Sequence, residues 1–403
     1  MNRSTFRLVL LVSFAHAMVH IFELALPSME QLIGEEYRVG KDVTGWLGTV
    51  WRFPFGIGAL LAGWLADRYG SKPLLVIYLA GCAATSVAAW AAGSMQVLFA
   101  TMFLMGCFAS IYHPAGLALI SRETTPANRG AALGWHGIFG SLGIGGAPFL
   151  AAVAFSSSSI SWRQFYLFLA IPGGVLALVL VTMLVEHHRK PAKHDAPTDR
   201  GEQPEVESEE GTSWPAFFLL VAAGALTGVI YAAFVHFLPR YLDDAWGTAT
   251  NLRPESLRNY WASLAMLCAL VGQALAGRIA RPGRMEWQLS GVMFAAVPAL
   301  TWVAFAEGRF KIAAVCMVAF VHFMSQPIYN SLIAQYVPRA RRSLGYGFSN
   351  MVAFGIGALG PAFAGVVHSD RVIYGSLAAV ALGAGLLSFL LACRRNPGRP
   401  DAV

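Results

Sequence analysis

The chain of 403 residues is 56% hydrophobic and only 13% charged. Soluble domains carry about twice that share of charged residues, so the composition excludes a water-soluble globular protein. The formal net charge of +7 does not predict binding to nucleic acid, because the basic residues lie at the ends of apolar segments and form no single patch.

Twelve apolar segments follow one another along the chain. Most contain about twenty residues, enough to cross a hydrocarbon core of about 30 Å as a helix. Because a backbone in lipid has to satisfy its own hydrogen bonds, they predict an all-α membrane protein with twelve transmembrane helices. The first half contains the spans 6–28, 43–66, 73–92, 96–120, 129–155 and 163–186. The second half contains the spans 214–240, 257–280, 286–306, 310–334, 342–366 and 371–393.

The segment between the halves, residues 187–213, is rich in Pro, Glu, Asp, Lys and His and shows no periodicity. This composition predicts a solvated, flexible linker. The chain is therefore expected to form an N-terminal six-helix bundle over 1–186 and a C-terminal six-helix bundle over 214–403. The first span contains His and Glu residues and lacks a convincing cleavage site, so we interpret it as a retained helix.

Lysine and arginine are distributed unevenly between the loops on the two sides of the membrane. The termini, the linker and the even-numbered loops hold 19 of the 29, and the odd-numbered loops hold nine; Arg52 lies within a span. By the positive-inside rule both termini are expected in the cytoplasm. The expected location is a bacterial inner membrane, crossed many times.

The two halves align with each other at a shift of about 213 residues. His113-Pro114 then falls on Gln326-Pro327, and Gly58 falls on Gly272. An ordered set of such matches predicts two pseudo-symmetric bundles with a substrate site between them near the bilayer midplane. The paired prolines predict a kinked or broken helix in the fourth span and in the tenth.

The loop after the second span, Gly63–Lys72, reads GWLADRYGSK. It closely resembles the G-x-L-A-D-R-x-G-R-K signature of the major facilitator superfamily and differs only at Ser71. The resemblance implies the fold of that superfamily and a cytoplasmic latch, in which Asp67 meets the start of the eleventh span near Arg341. Because the repeat places Arg281 at the position of Asp67, the latch is expected on one half alone. A plain topology anchor is the alternative role of the latch residues, which are Gly63, Asp67, Arg68, Gly70 and Lys72.

A second stretch suggests a narrower resemblance. The segment Ile111–Gly116, together with the glycine-rich run from Gly134 to Pro148, is similar to bacterial fosmidomycin-resistance-like proteins of the superfamily. That resemblance implies efflux of a drug or small anion by proton antiport. The order Gly145-Gly146-Ala147-Pro148 departs from the antiporter motif of the superfamily, so the motif leaves antiport open.

Ionisable residues inside membrane spans are costly and indicate function by default. His16, His20 and Glu23 fall within an arc of about 60° on one helix, and Arg52 lies within about 5 Å of the depth of Glu23. These positions predict a Glu23–Arg52 pair. We hypothesise that Glu23 or a neighbouring histidine takes up the coupling proton and that the substrate competes for Arg52. A static buried ion pair is the alternative.

Further polar side chains in the spans are candidates for binding the substrate. For each of them a packing role is the alternative. They are Tyr112, His113, His136, Tyr231, His236, His322, Gln326, Tyr329 and Asn330.

The function that these features favour is proton-coupled export of a small polar or anionic organic compound or drug. The expected partners are that small-molecule substrate, the proton and the lipid bilayer, and the chain is expected to act as a monomer. The sequence shows no Gly-rich phosphate-binding loop with Lys-Ser or Lys-Thr, so transport driven by ATP is not expected. No cofactor is expected either.

Two other readings stay open. One is import, or transport of a metal or metal chelate. The other is an intramembrane metalloenzyme, against which the repeat and the Asp67 loop speak. Histidines spaced by four on a helix suit a metal ion, and the candidate ligands are His16, His20, Glu23, His113 and His136. We assign no metal site from the sequence.

Overall fold

A computed structural model describes residues 1, 3–189, 213–246, 251–281, 283–338 and 341–394. The predicted linker, residues 187–213, lies almost wholly outside the described residues. The described residues form fifteen helices, most of them built from runs of apolar residues long enough to bury a face. They are α1 (Arg3–Tyr37), α2 (Lys41–Tyr69), α3 (Ser71–Trp90), α4 (Met95–Ala109), α5 (Tyr112–Glu123), α6 (Pro126–Phe155), α7 (Trp162–Arg189), α8 (Trp214–His236), α9 (Leu238–Tyr241), α10 (Pro254–Ile279), α11 (Met285–Phe305), α12 (Phe310–Tyr336), α13 (Arg342–Gly357), α14 (Leu359–Val366) and α15 (Asp370–Cys393).

These helices confirm the predicted all-α membrane fold. Among the described residues, eleven helical stretches are long and apolar enough to cross a membrane, with α4–α5 and α13–α14 each counting as one. The remaining long helix, α2, has 29 residues but carries charges at both ends and Arg52 inside. The apolar cores follow the two halves: one cluster runs from Leu8 to Leu180, and two further clusters consist mainly of second-half side chains.

Three helices show how the observed helix ends compare with the predicted spans. Helix α1 continues through Pro27 to Tyr37, because its last turns still bury Met29 and Ile33 against the bundle. The fourth span breaks between α4 and α5, which puts Pro114 in the first turn of α5, where a helix needs no N–H donor. The tenth span does not break, since α12 runs continuously through Pro327, and a kink at that proline stays a prediction.

The internal repeat is visible in how the second helix of each half packs against the fourth. A Cβ added at Gly58 would meet the Ser110 hydroxyl at the α4–α5 break, and one added at Gly272 would meet the Phe320 carbonyl of α12. The two glycines occupy equivalent repeat positions. Each permits the same close approach between equivalent helices, as small residues do in membrane proteins.

We expect Gly272→Ala to destabilise the second bundle, because the new methyl group meets backbone and cannot be accommodated by a side-chain rotation. Overpacking of this kind costs about 1–3 kcal/mol. The matched control is Gly277→Ala on the same helix, where nothing lies within 4 Å of the added Cβ. Thermal unfolding of the detergent-purified variants measures both. Equal midpoints for the two variants would contradict the packing argument.

The helix ends fall on two faces of the molecule. On one face Lys72 lies 2.9 Å from Glu123, and the backbone N–H of Ser213 donates to the Tyr336 carbonyl oxygen at 3.3 Å. Because successive spans run in opposite directions, the start of α1 and the end of α15 lie on this face too. We call it the basic face, since it carries the larger group of Lys and Arg residues, and the other the opposite face.

Between described residues, the hydrogen bonds that join the two halves lie at mid-depth or toward the opposite face. At mid-depth the Ser141 hydroxyl donates to Gln273 at 3.0 Å. Toward the opposite face the joined pairs include Glu30–Arg240, Gln31–Asp243, Ser28–Asn259, Ala152–Ser256 and Ser157–Arg253. The halves are thus closed against each other at the opposite face.

Candidate functional site

A buried group of polar side chains lies where α1, α2, α5, α6 and α8 meet. We call it the central cluster; its members are His16, His20, Glu23, Arg52, His113, His136 and Tyr231. Three of them come from one face of α1, because residues three and four apart on a helix project to the same side. The apolar residues of that helix pack into the first bundle, and this packing sets the depth of the three polar side chains in the membrane.

Glu23 is the centre of this cluster and connects the two halves. Its Oε1 accepts a hydrogen bond from Arg52 Nη1 at 2.7 Å and one from the Tyr231 hydroxyl of the second half at 3.1 Å. The side chains of Glu23 and Arg52 are 1% and 4% exposed. The Arg52 guanidinium also lies 5.3 Å from the centre of the Tyr231 ring. The similar depths of Glu23 and Arg52 in their spans predicted this pair, and the structure brings the two side chains together.

Arg52 retains an unused donor in this buried place. Its Nη2 atom makes no hydrogen bond with any residue that the structure describes. An unsatisfied charged donor costs more than a neutral one when buried, so this position favours an acceptor from a bound molecule. The guanidinium fork would bind a carboxylate or another anionic group there.

The histidines of α1 extend the network away from Glu23. Glu23 Oε2 lies 2.8 Å from His20 Nδ1, and His20 Nε2 lies 3.2 Å from His16 Nε2. His16 Nδ1 lies 2.7 Å from the His136 carbonyl oxygen, which only accepts. Each of these three hydrogen bonds needs one hydrogen. The three side chains then hold three, one more than a carboxylate and two neutral imidazoles supply. The network therefore accommodates one exchangeable proton.

Aromatic rings enclose His16 on two sides. The His136 ring stacks on it with centres 3.8 Å apart, and the Tyr112 ring stacks at 5.2 Å. The Tyr112 hydroxyl donates to the Val12 carbonyl oxygen at 2.7 Å, and the residue is fully buried. In this conformation Tyr112 packs against His16 in the core, and its predicted role in substrate binding stays a prediction. His113 approaches both α1 histidines with its ring nitrogens and stays partly exposed.

Of the candidates in the second half, Tyr231 and His322 reach the central cluster. The His322 ring stacks near Tyr231 with centres 6.3 Å apart. His236 is buried and lies 3.0 Å from the Thr44 carbonyl oxygen, nearer the opposite face. It serves packing between the halves, because its ring fills the space that Gly48 leaves free.

The remaining candidates lie away from the cluster, in α12. The Tyr329 hydroxyl bonds the Ser349 hydroxyl at 2.6 Å, and the carbonyl of Asn330 accepts from Tyr346. Gln326 accepts from Gln273 at 2.8 Å and is exposed. Gln326, the repeat partner of His113, therefore bonds Gln273 of α10 and is not a member of the central cluster.

The residues predicted to form a latch make their contacts within the first bundle. Asp67 pairs with Arg122 at 2.8 Å, and Lys72 pairs with Glu123 at 2.9 Å. Gly70 turns the chain with a φ of 90°, which a side chain would disfavour.

The other two latch residues also stay local. The Arg68 guanidinium lies over the rings of Trp64 and Tyr69, and Gly63 approaches Pro114. Among the described residues, the side chain of Asp67 bonds only Arg122 and makes no contact with the start of the eleventh span. The side chain of Arg342 lies outside the described residues.

Sequence reasoning missed a second buried ion pair. Glu30, whose side chain is 1% exposed, accepts two hydrogen bonds from the Arg240 guanidinium, at 2.6 and 2.9 Å, and one from Thr44 at 3.0 Å. The predicted end of the first span at residue 28 excluded it. The available signal was its spacing of seven from Glu23, which places both carboxylates on one face of α1.

Comparisons with known proteins agree with this architecture. The family model described as Major Facilitator Superfamily matches residues 9–361. A 3-(3-hydroxy-phenyl)propionate transporter of Escherichia coli is 27% identical, with 92% of this chain aligned to 90% of that protein. A probable actinorhodin transporter of Streptomyces coelicolor is 28% identical over 62% of this chain. A puromycin resistance protein of Streptomyces alboniger is 30% identical over 42% of this chain. The chain aligns with only 44% and 32% of the lengths of these two Streptomyces proteins.

Solved structures share the fold at low identity. A bacterial homologue of the human lysosomal transporter Spinster, in an inward-facing and unoccupied conformation, superposes with a TM-score of 0.75 at 15% identity, covering 99% of this chain and 100% of that chain. A peptide transporter POT in complex with sulfate gives a TM-score of 0.76 at 13% identity, covering 97% of this chain and 94% of that chain. The narrower likeness to fosmidomycin-resistance-like proteins stays a prediction.

Proposed function

The chain belongs to the Major Facilitator Superfamily, and from that premise we propose that it is a secondary transporter that exports a small polar or anionic organic compound in exchange for protons. The observation that carries the proposal is the central cluster. There a buried carboxylate from one half is held by Arg52 and His20 and is contacted by Tyr231 from the other half. Buried ionisable groups at such a junction indicate proton or substrate pathways.

Exchange requires that the proton and the substrate exclude each other, and Glu23 offers a site for this. A hydroxyl group of the substrate that takes the place of Tyr231 would hold the Glu23 carboxylate in its ionised form. A proton on Glu23 removes that acceptor and weakens the bound substrate. The unused Nη2 of Arg52 supplies a second point of contact for a carbonyl or carboxylate oxygen.

Alternating access follows from the asymmetric closure of the two halves. The excess of Lys and Arg supports placing the basic face in the cytoplasm of a bacterial inner membrane. In that orientation, the closed opposite face leaves the cytoplasmic side as the one from which a substrate would reach the central cluster. The reverse state requires the Glu30–Arg240 pair to separate and the Asp67 loop to meet the second half. The described arrangement needs a single chain, so the transporter is proposed to act as a monomer.

We expect Arg240→Gln to open the opposite face more often, because Glu30 then stays buried without its charged partner. A cysteine at Ser28, in a background that lacks the native cysteines, reports this opening. Its labelling by a membrane-impermeant maleimide from the opposite face is expected to accelerate at least about tenfold.

The matched control is Arg371→Gln, which removes the same charge from an exposed pair with Glu307 on the same face. It is expected to leave the labelling rate unchanged. Equal acceleration in the two variants would show that surface charge, and not the Glu30 pair, sets the rate.

The proposed function is tested with purified protein in proteoliposomes under an imposed pH gradient. Compounds are compared in sets that differ by one group: with and without a hydroxyl, and with and without a carboxylate. We expect a pH gradient to drive a hydroxylated compound against its own concentration gradient. The compound should accumulate on the acidic side, from which protons leave. If no compound in the set responds to the gradient, or if accumulation follows the proton, exchange is contradicted.

A second candidate function is uptake of an organic anion together with a proton. The observation that favours it is the alignment of nearly the whole chain with the Escherichia coli transporter, whose named substrate is a propionate. A substrate carboxylate on Arg52 would release Glu23 from its partner, and Glu23 would then take up a proton. Accumulation on the same side as the proton would identify this function.

A further inference from the structure

The α1 histidines and His113 converge with their ring nitrogens. One nitrogen from each of His16, His20 and His113 lies within 4.8 Å of the other two. The two α1 rings point Nε2 at Nε2 across 3.2 Å. Tetrahedral zinc with Zn–N bonds of 2.0–2.1 Å separates its ligand nitrogens by about 3.3 Å. The α1 pair is therefore already at the spacing that a bound ion requires.

The outer nitrogens of the same two rings are held as they are in metal sites. His16 Nδ1 donates to the His136 carbonyl oxygen, and His20 Nδ1 contacts the Glu23 carboxylate. In metal centres the second ring nitrogen typically donates to a backbone carbonyl or a carboxylate, which fixes the tautomer and turns Nε2 toward the ion. Both kinds of partner are present here.

His113 supplies the third ligand and the route of entry. Its ring forms no hydrogen bond with the residues that the structure describes, so its nitrogens are available. It remains partly exposed, as does His20. The His136 ring lies parallel to His16 at 3.8 Å and stacks on it, which leaves His136 outside the ligand set. Three neutral imidazoles with one open position suit zinc and the neighbouring divalent ions.

We propose that His16, His20 and His113 bind one divalent transition-metal ion of the zinc type, with Glu23 orienting His20. The ion replaces the proton that the two Nε2 atoms share. It therefore occupies the position between the two rings that a shared hydrogen holds in the absence of the ion. The site itself depends on geometry alone and goes beyond the proposed function.

The test is a zinc titration of the detergent-purified transporter by calorimetry, with a protein that carries no polyhistidine tag. We expect one tight, saturable site per chain. His20→Asn and His113→Asn are expected to lose it, and His368→Asn, on an exposed loop at the opposite face, is expected to keep it. Glu23→Gln is expected to weaken it by about 10–100-fold, as loss of an orienting group does. Size-exclusion profiles identify any variant that fails to fold.

Cobalt provides a readout that needs no variant. Co²⁺ bound to the unaltered protein is expected to give the strong visible absorption of a tetrahedral nitrogen site, and zinc is expected to displace it. Absence of a tight zinc site, equal affinity of His20→Asn and His368→Asn, or a weak octahedral cobalt spectrum overturns the proposal. These measurements use neither substrate nor a gradient, so their failure leaves the proposed transport function standing, and a failed flux assay leaves the metal site standing.

Discussion

Replacement of Glu23 by Gln is expected to abolish transport driven by a pH gradient and to preserve exchange of substrate for substrate. The amide keeps the size of the side chain and its contacts with Arg52 and Tyr231, but it binds no proton. The substrate site should then still alternate between the two sides, with no proton to couple to its movement. Proteoliposomes loaded with substrate measure both activities: gradient-driven flux falls to background, and counterflow persists.

The control for this variant is Glu286→Gln, which removes a carboxylate that is equally buried but lies in α11 of the second half. It lies in the first turn of α11, and its Oε1 accepts a hydrogen bond from the Tyr336 hydroxyl at 2.7 Å. It is expected to keep gradient-driven flux. Proton-driven transport that survives Glu23→Gln would remove Glu23 from the mechanism.

Replacement of Arg52 by Gln is expected to lower stability sharply, because it leaves the Glu23 carboxylate buried without its cationic partner. Removal of one member of a buried ion pair costs about 3–5 kcal/mol. The double variant Arg52→Gln/Glu23→Gln removes both charges and is expected to regain much of that loss. Thermal unfolding of the single and double variants in detergent measures the coupling.

An exposed ion pair serves as the comparison. Arg122→Gln breaks the pair with Asp67, whose side chain is 76% exposed, so its expected cost is at most about 1 kcal/mol. Additive effects of the two central substitutions would show that Glu23 and Arg52 do not stabilise each other.

Much of the fold was predictable because a lipid environment allows few choices. Apolar length and backbone hydrogen bonding define the spans, and the repeat of Gly58 at Gly272 survives as equivalent helix packing. The exceptions have local causes. Whether a proline breaks a span depends on where the turn falls: α5 begins two residues before Pro114, whereas Pro327 lies inside α12. The sequence shows both prolines but not the packing around them.

The site was predictable where it depends on one helix and less so where it depends on several. The spacing of His16, His20 and Glu23 places them on one face of α1, and depth arguments connect Glu23 with Arg52. No sequence pattern reports which way a helix faces its neighbours. The burial of Tyr112 in the core was therefore not predictable. Glu30 was missed because hydropathy ended the first span too early.

The most direct test of the central cluster counts protons on substrate binding. Purified transporter in weakly buffered detergent solution is mixed with saturating transported compound in the presence of a pH-indicator dye. The account predicts release of roughly one proton per chain from the unaltered protein and none from Glu23→Gln, because linkage requires that two ligands that exclude each other displace each other. Proton release from Glu23→Gln equal to that from the unaltered protein would contradict it.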